Sequence, residues 1–286
     1  MKNFLTTIIL SLLVLPIFSV VHAQDFSGAE KMGWKIASQA YTFKEFTLEE
    51  TLDKLNELGL KNIELYGNQK IGSGIEGSTD FKMNEEKRQQ LKELLKSKGI
   101  TPVAFGVSSG RNEEEWIQLF EFAKDMEIGI ITSEPEYKDL DLIESLCKKY
   151  NIKVAIHEHA IPNKYWHPKI PMTLLEGRSD LMGVCADIGH WVRSGLDPVE
   201  CLKIVEGRLM SFHFKDLNEF GVKKAHDVPW GTGNSNVAGV MNEMKRQGFQ
   251  GPISVEYEHN WLNSVPEVRE SLEYFSRVSN ALMKQE

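Results

Sequence analysis

Strand-like and helix-like segments alternate along this chain without a break, and eight strands can be counted. Lys35–Phe43 reads as the first strand. Thr47-Leu48-Glu49-Glu50 is a capping box, in which the Thr hydroxyl and the Glu carboxylate satisfy the free N–H groups at a helix start. Leu48, Leu52, Leu55 and Leu58 place that helix's apolar stripe on one face, and Gly59 stops it. Further strands are expected at Asn62–Tyr66, Pro102–Val107, Gly129–Ser133, Lys153–His159, Gly183–Ile188, Leu209–Lys215 and Pro252–Glu258. Helices are expected at Asn84–Lys98, Glu113–Glu127, Leu140–Tyr150, Pro198–Glu206, Val237–Gln247 and Pro266–Leu282. Repeated βα units require parallel strands joined by right-handed crossovers. Eight of them in about 260 residues fit a closed (β/α)8 TIM barrel better than an open sheet. No GxGxxG or GxxxxGK[ST] follows a strand, which removes the common dinucleotide and P-loop sites. No linker divides the chain, so residues 24–286 are read as one α/β barrel domain.

Met1–Ala23 has the pattern of an export signal: Lys2, an apolar stretch from Phe4 to Val21, and small residues at Val21-His22-Ala23. Pro16, two Thr and two Ser make that stretch a poor spanning helix, so no membrane anchor is expected. The mature chain then starts near Gln24 and works in the periplasm. The full sequence has 33 basic and 41 acidic residues, a net charge of −8, with no dense basic run. Nucleic-acid binding needs phosphate-neutralising Lys and Arg, so no nucleic-acid partner is expected. Three cysteines cannot form a disulfide framework.

Histidine placement is the sharpest chemical signal. Apart from His22, all histidines lie between residues 157 and 259, in or just after strands of the second half. Those strand ends form the C-terminal mouth of a barrel, where active sites are built. Side chains alternate along a strand, and the helix-facing set should be apolar. Val154 and Ile156 then face the helices, leaving His157 and His159 inward. Val184 and Ala186 leave Cys185 and Asp187 inward. Met210, Phe212 and Phe214 leave Ser211, His213 and Lys215. Ile253, Val255 and Tyr257 leave Ser254, Glu256 and Glu258. His157, Asp187, His213 and Glu256 are thus expected together. Two imidazoles and two carboxylates inside a barrel must be paired or hold an ion. A hydrogen-bonded polar core is the alternative, but one divalent ion (Mn, Co, Zn, Mg or Fe) suits this N/O set better.

At these residues the chain resembles the sugar phosphate isomerase/epimerase superfamily with the xylose isomerase-like barrel. The likeness covers essentially the whole mature chain. It rests on Cys185-Ala186-Asp187-Ile188-Gly189-His190, Ser211-Phe212-His213-Phe214-Lys215-Asp216, His226-Asp227-Val228-Pro229-Trp230-Gly231-Thr232-Gly233 and Ser254-Val255-Glu256-Tyr257-Glu258. The resemblance implies metal ligation by Asp187, His213 and Glu256 and sugar contact by His190. Many members carry Glu in the fifth strand, where this chain has His157-Glu158-His159. His157 becomes the first ligand, with Glu158 as rival. Epimerases of the family use two glutamates on opposite substrate faces, and a similar His-containing subgroup includes enzymes that cleave or hydrate 3-keto-glycosides.

The expected activity is a metal-dependent sugar isomerase or epimerase working by proton abstraction next to a carbonyl, through an enediolate. A 3-keto-glycoside lyase or hydratase using the same site, and a non-catalytic periplasmic sugar binder, are the alternatives. A nuclease on this barrel would need three metals and a basic DNA face. Glu158, Glu134 and Glu256 are the candidate proton carriers. His190, Lys215, His159, Trp230, Glu64 and Tyr41 are the candidate contacts to a small sugar or glycoside. Homo-oligomerisation is left open.

Overall fold

The computed structural model describes residues 24–284, and the export segment expected over Met1–Ala23 lies outside them. The barrel strands are Trp34–Gln39 (β1), Asn62–Leu65 (β2), Thr101–Phe105 (β3), Ile130–Ser133 (β4), Lys153–His157 (β5), Met182–Asp187 (β6), Leu209–Phe214 (β7) and Gly251–Val255 (β8). Every neighbouring pair is parallel, and β8 pairs back onto β1 through Trp34–Gly251 to Ser38–Val255, which closes the sheet. The eightfold alternation in the sequence is therefore realised as a single (β/α)8 TIM barrel.

The connecting helices form where the apolar spacing and caps place them. Helix Leu48–Glu57 carries both halves of the Thr47/Glu50 capping box and buries Leu48, Leu52 and Leu55. Each such leucine stabilises the fold by about 1.5–3 kcal/mol relative to an exposed one. Helices Glu85–Lys98 and Glu113–Asp125 start at Asn84 and Asn112, whose side chains accept from the third residue on. No helix among the described residues is long and apolar enough to cross a membrane.

Several strands end earlier than the sequence pattern suggests. The Gln39 side chain accepts from Tyr41 N and turns the chain into a 3-10 helix over Ala40–Phe43, so β1 stops at Gln39. β5, β7 and β8 stop at His157, Phe214 and Val255, which leaves His159, Lys215, Glu256 and Glu258 at the loop starts. Asp187 ends β6 by capping a helix over Ile188–Arg193. A small antiparallel hairpin, Lys70–Gly72 with Ile75–Ser78, follows β2 with no strong signal in the sequence.

One parity assignment fails. Met210, expected to face the helices, lies in the barrel interior with Ala104, Ile130, Ala155 and Cys185. β7 carries an extra residue there, since Val184 pairs with Leu209 while Cys185 pairs with Ser211. Such a bulge turns a side chain to the other face.

Candidate metal centre

Pairing register brings four polar side chains to one level. His157 pairs with Cys185, two residues before Asp187; Asp187 pairs with His213; and His213 pairs with Ser254, two residues before Glu256. This climb along successive strands is the stagger of a closed barrel. One donor atom from each of His157, Asp187, His213 and Glu256 lies within 4.8 Å of all the others, and all four residues are buried. Asp187 Oδ2 is 3.4 Å from His157 Nε2 and 3.9 Å from His213 Nδ1, which is 3.1 Å from Glu256 Oε2. His157 Nε2, Asp187 Oδ2 and His213 Nδ1 make no hydrogen bond. Buried polar atoms seldom go unpartnered, and here three of them converge.

The far side of three of the four ligand candidates is held. His157 Nδ1 donates to Glu134 Oε1 at 2.8 Å, which directs Nε2 to the cluster, and Asn163 Nδ2 holds Glu134 Oε2 at 2.6 Å. Asp187 Oδ1 accepts from His190 N at 2.8 Å. His213 Nε2 lies 3.1 Å from Glu64 Oε1, while Glu64 Oε2 accepts from Ser254 Oγ at 2.7 Å. Lys215 Nζ sits 3.1 Å from Asp187 Oδ2 and 2.8 Å from Glu256 Oε2, and also contacts Glu258. Gly189 makes room for it, because a Cβ there would come within 2.7 Å of Lys215 Cβ.

Charge balance follows from these contacts. Burial pulls the His157 imidazolium down, but Asp187 and Glu134 outweigh it and raise its pKa to about 10. Burial acts on His213 in the same sense and is overcome by Cys185, Glu64 and Glu256, so its pKa lies well above the ordinary value. Burial would raise the Asp187 and Glu256 carboxyls, yet the cations around them hold both below the usual range. His190 goes the other way, since burial drives it well down and keeps the ring neutral.

A cavity of about 390 Å³ opens over the cluster, lined by Gln39, Tyr41, Tyr66, Phe81, Glu134, His157, His159, His190, Glu256 and Glu258 among others. Of the expected site residues, Tyr41, Glu134, His157, His159, His190 and Glu256 line it. His159 stacks on His190 with ring centroids 3.9 Å apart.

Four expectations need correction. Glu158, just past β5, is fully buried toward the helices beside Trp191, and burial pushes its carboxyl well above the usual range; it belongs to neither the cluster nor the cavity lining, which leaves His157 as the fifth-strand candidate. Glu64 lies behind His213 instead of contacting a ligand. Lys215 is buried among the carboxylates instead of lining the cavity. Trp230 packs on Phe214 and Phe275 in the helix layer, 1% exposed, because the loop carrying it folds back onto the core. Tyr66, immediately after β2, and Asp80 and Phe81, just after the hairpin, also line the cavity, with no signal in the sequence pattern that marks them.

A family model described as a xylose isomerase-like TIM barrel matches residues 52–278. The crystal structure of an uncharacterized protein from Parabacteroides distasonis ATCC 8503 is 41% identical, with a TM-score of 0.71, over 86% of this chain and 99% of that one. A D-tagatose 3-epimerase-like protein shares the fold at 17% identity and a TM-score of 0.69, over 87% of this chain and 99% of its own. An inosose dehydratase of Clostridium tetani (strain Massachusetts / E88) is 28% identical over 149 residues, 46% of this chain and 50% of that one. The chain thus matches about half the length of that relative.

Proposed function

Because the chain belongs to the xylose isomerase-like TIM barrel family, we propose that it is an exported, divalent-metal-dependent enzyme that acts on a carbohydrate by removing a proton next to a carbonyl. The observation that carries this reading is the convergence of His157 Nε2, Asp187 Oδ2 and His213 Nδ1, none of them hydrogen-bonded, with Glu256 beside an open cavity. Once an ion displaces the protons that Asp187, Glu134, Glu64 and Glu256 favour on them, the two imidazoles together with two carboxylates match a borderline divalent ion. His157, Asp187, His213 and Glu256 would hold such an ion, which would supply Lewis-acid chemistry to a bound carbonyl.

The chain's own groups divide the remaining work. Glu134, held by Asn163, keeps His157 in the tautomer that presents Nε2 inward. Glu256 reaches both cluster and cavity, so its carboxylate is the base within reach of a substrate proton. His190, neutral at its place on the wall, and His159 stacked against it orient hydroxyls. Tyr41, Tyr66 and Trp261 form an edge-to-face aromatic wall suited to a sugar's apolar face.

Position 157 bears on the outcome. With His157 in place of a carboxylate and Glu158 turned outward, the fifth strand offers no base to the cavity, and Glu134, Glu256 and Glu258 are the carboxylates that line it. With Glu134 tied to His157 and Asn163, Glu256 is left as the principal base, which favours isomerisation or loss of a β-substituent over two-base epimerisation. The name of the Clostridium tetani relative supports the elimination branch.

The decisive experiment is metal content after purification without chelator. About one transition-metal ion per chain, lost in His213→Ala, supports the site; none bound, and none taken up from Mn²⁺, Co²⁺ or Zn²⁺, overturns it. NMR of a keto-sugar in deuterated water then separates the branches. Exchange alone indicates an isomerase, and release of a leaving group indicates a lyase.

A further inference from the structure

The barrel mouth has a second compartment. A cavity of about 660 Å³ adjoins the one over the cluster and shares His159, His190 and Glu258 with it. Each compartment alone is of a size that holds a drug-sized ligand, so together they exceed what a single monosaccharide needs. The inner compartment is walled by aromatics and imidazoles; the outer one is walled by Arg193, Lys223, Lys224 and His226. In a chain of net charge −8 this is a local reversal of sign.

Glu258, the carboxylate that lines this compartment, and Asp227 behind Arg193 are already matched. Arg193 lies 3.3 Å from Asp227 and 3.7 Å from Glu258, and Glu258 also contacts Lys215. Lys223 and Lys224 are exposed and form no ion pair among the described residues. Their loop is held in place: Leu217 bridges to Asp227, Gly221 N donates to Val192 O, and Arg193 Nε donates to Ala225 O. Unmatched cations are thereby held on a braced wall next to the reacting cavity, where a charged cleft concentrates ligands of opposite sign.

Building on the carbohydrate reading above, we infer that the substrate carries an anionic group, carboxylate or phosphate, on the part remote from the reacting carbons, and that Lys223 and Lys224 bind it in the outer compartment. The reacting sugar occupies the inner cavity, and the rest of a glycoside or the charged end of a longer sugar lies outside it.

Calorimetric titration of the Mn²⁺-loaded protein with D-glucose, D-glucuronate, glucose 6-phosphate and inorganic phosphate tests this, in the wild type and in Lys223→Ala/Lys224→Ala. A charged sugar should bind about tenfold more tightly than glucose at low salt, the size of two partly exposed ion pairs. The double variant should lose that preference and keep its affinity for glucose. Glucuronate ahead of glucose 6-phosphate assigns a carboxylate, and the reverse order a phosphate. Equal binding of charged and neutral sugars, or a preference that survives in the double variant, overturns the inference. Phosphate bound only by the wild type, with no sugar bound, keeps the anion site and overturns the carbohydrate reading. Binding of neither sugar nor phosphate overturns both.

Discussion

Glu64→Gln tests whether the residues behind the cluster set its affinity for a metal ion. Glu64 is fully buried, with one oxygen accepting from Ser254 Oγ at 2.7 Å and the other 3.1 Å from His213 Nε2. Unit charges at 3.1 Å and an effective dielectric of about 20 attract by roughly 5 kcal/mol before desolvation, which offsets most of that. Glutamine keeps the volume and an acceptor for Ser254 but removes the charge facing His213. Loss of a group that orients and polarises a metal-binding imidazole lowers affinity about 10–100-fold, or about 1.4–2.7 kcal/mol. We therefore expect the Mn²⁺ dissociation constant of Glu64→Gln to rise by that factor, with barrel circular dichroism unchanged. Titration followed by electron paramagnetic resonance reads the constant directly. A variant that binds Mn²⁺ within threefold of the wild type would refute the claim that Glu64 acts through His213.

Other outcomes follow from the same geometry. Glu158→Gln should leave metal stoichiometry and affinity unchanged, because that carboxyl faces the helices and burial already favours its neutral form; a loss of bound metal on atomic absorption would restore Glu158 as a ligand. With chelator present, stability should fall as pH rises. The His157 pKa is raised in the folded state to about 10 from 6.5, so its stabilisation is full below 6.5 and disappears toward 10. Melting curves across that window should show a decline on the order of a few kcal/mol in total, and a flat profile would contradict the pairing of His157 with Asp187 and Glu134. Trp230→Ala should cost about 3–5 kcal/mol of stability without altering sugar affinity. Tyr41→Ala should do the opposite, weakening sugar binding while the melting temperature barely moves, as paired calorimetry and melting would read.

The barrel and the quartet were legible because they rest on periodicity. Strand parity alone points His157, Asp187, His213 and Glu256 inward, and the register delivers them to one place. What periodicity does not carry was missed. Glu64 and Lys215 face inward too, but whether an inward side chain meets a ligand or lies behind another residue depends on depth, which parity does not encode. Trp230 follows a strand end like a mouth aromatic, yet its loop returns to Phe275 on the last helix, a contact far away in sequence. Glu158 belongs to a His-Glu-His run in which only the alternating members share a face. Met210 breaks the alternation through a bulge that shows only once β6 and β7 are paired.

Lys215 has a consequence for the order of events in the life of the molecule. Its ammonium stands between Asp187 and Glu256, so the barrel contains a resident cation of its own among these carboxylates. Many small metalloproteins stay unfolded until an ion gathers their ligands, and carboxylates crowded together with no cation would repel one another. Here the repulsion is relieved by the chain itself as β7 closes, and folding need not wait for the ion. Metallation would then be a late and reversible step in an already finished barrel. A protein treated with chelator should remain compact and take up an ion again, and the ion it carries should follow the supply around it.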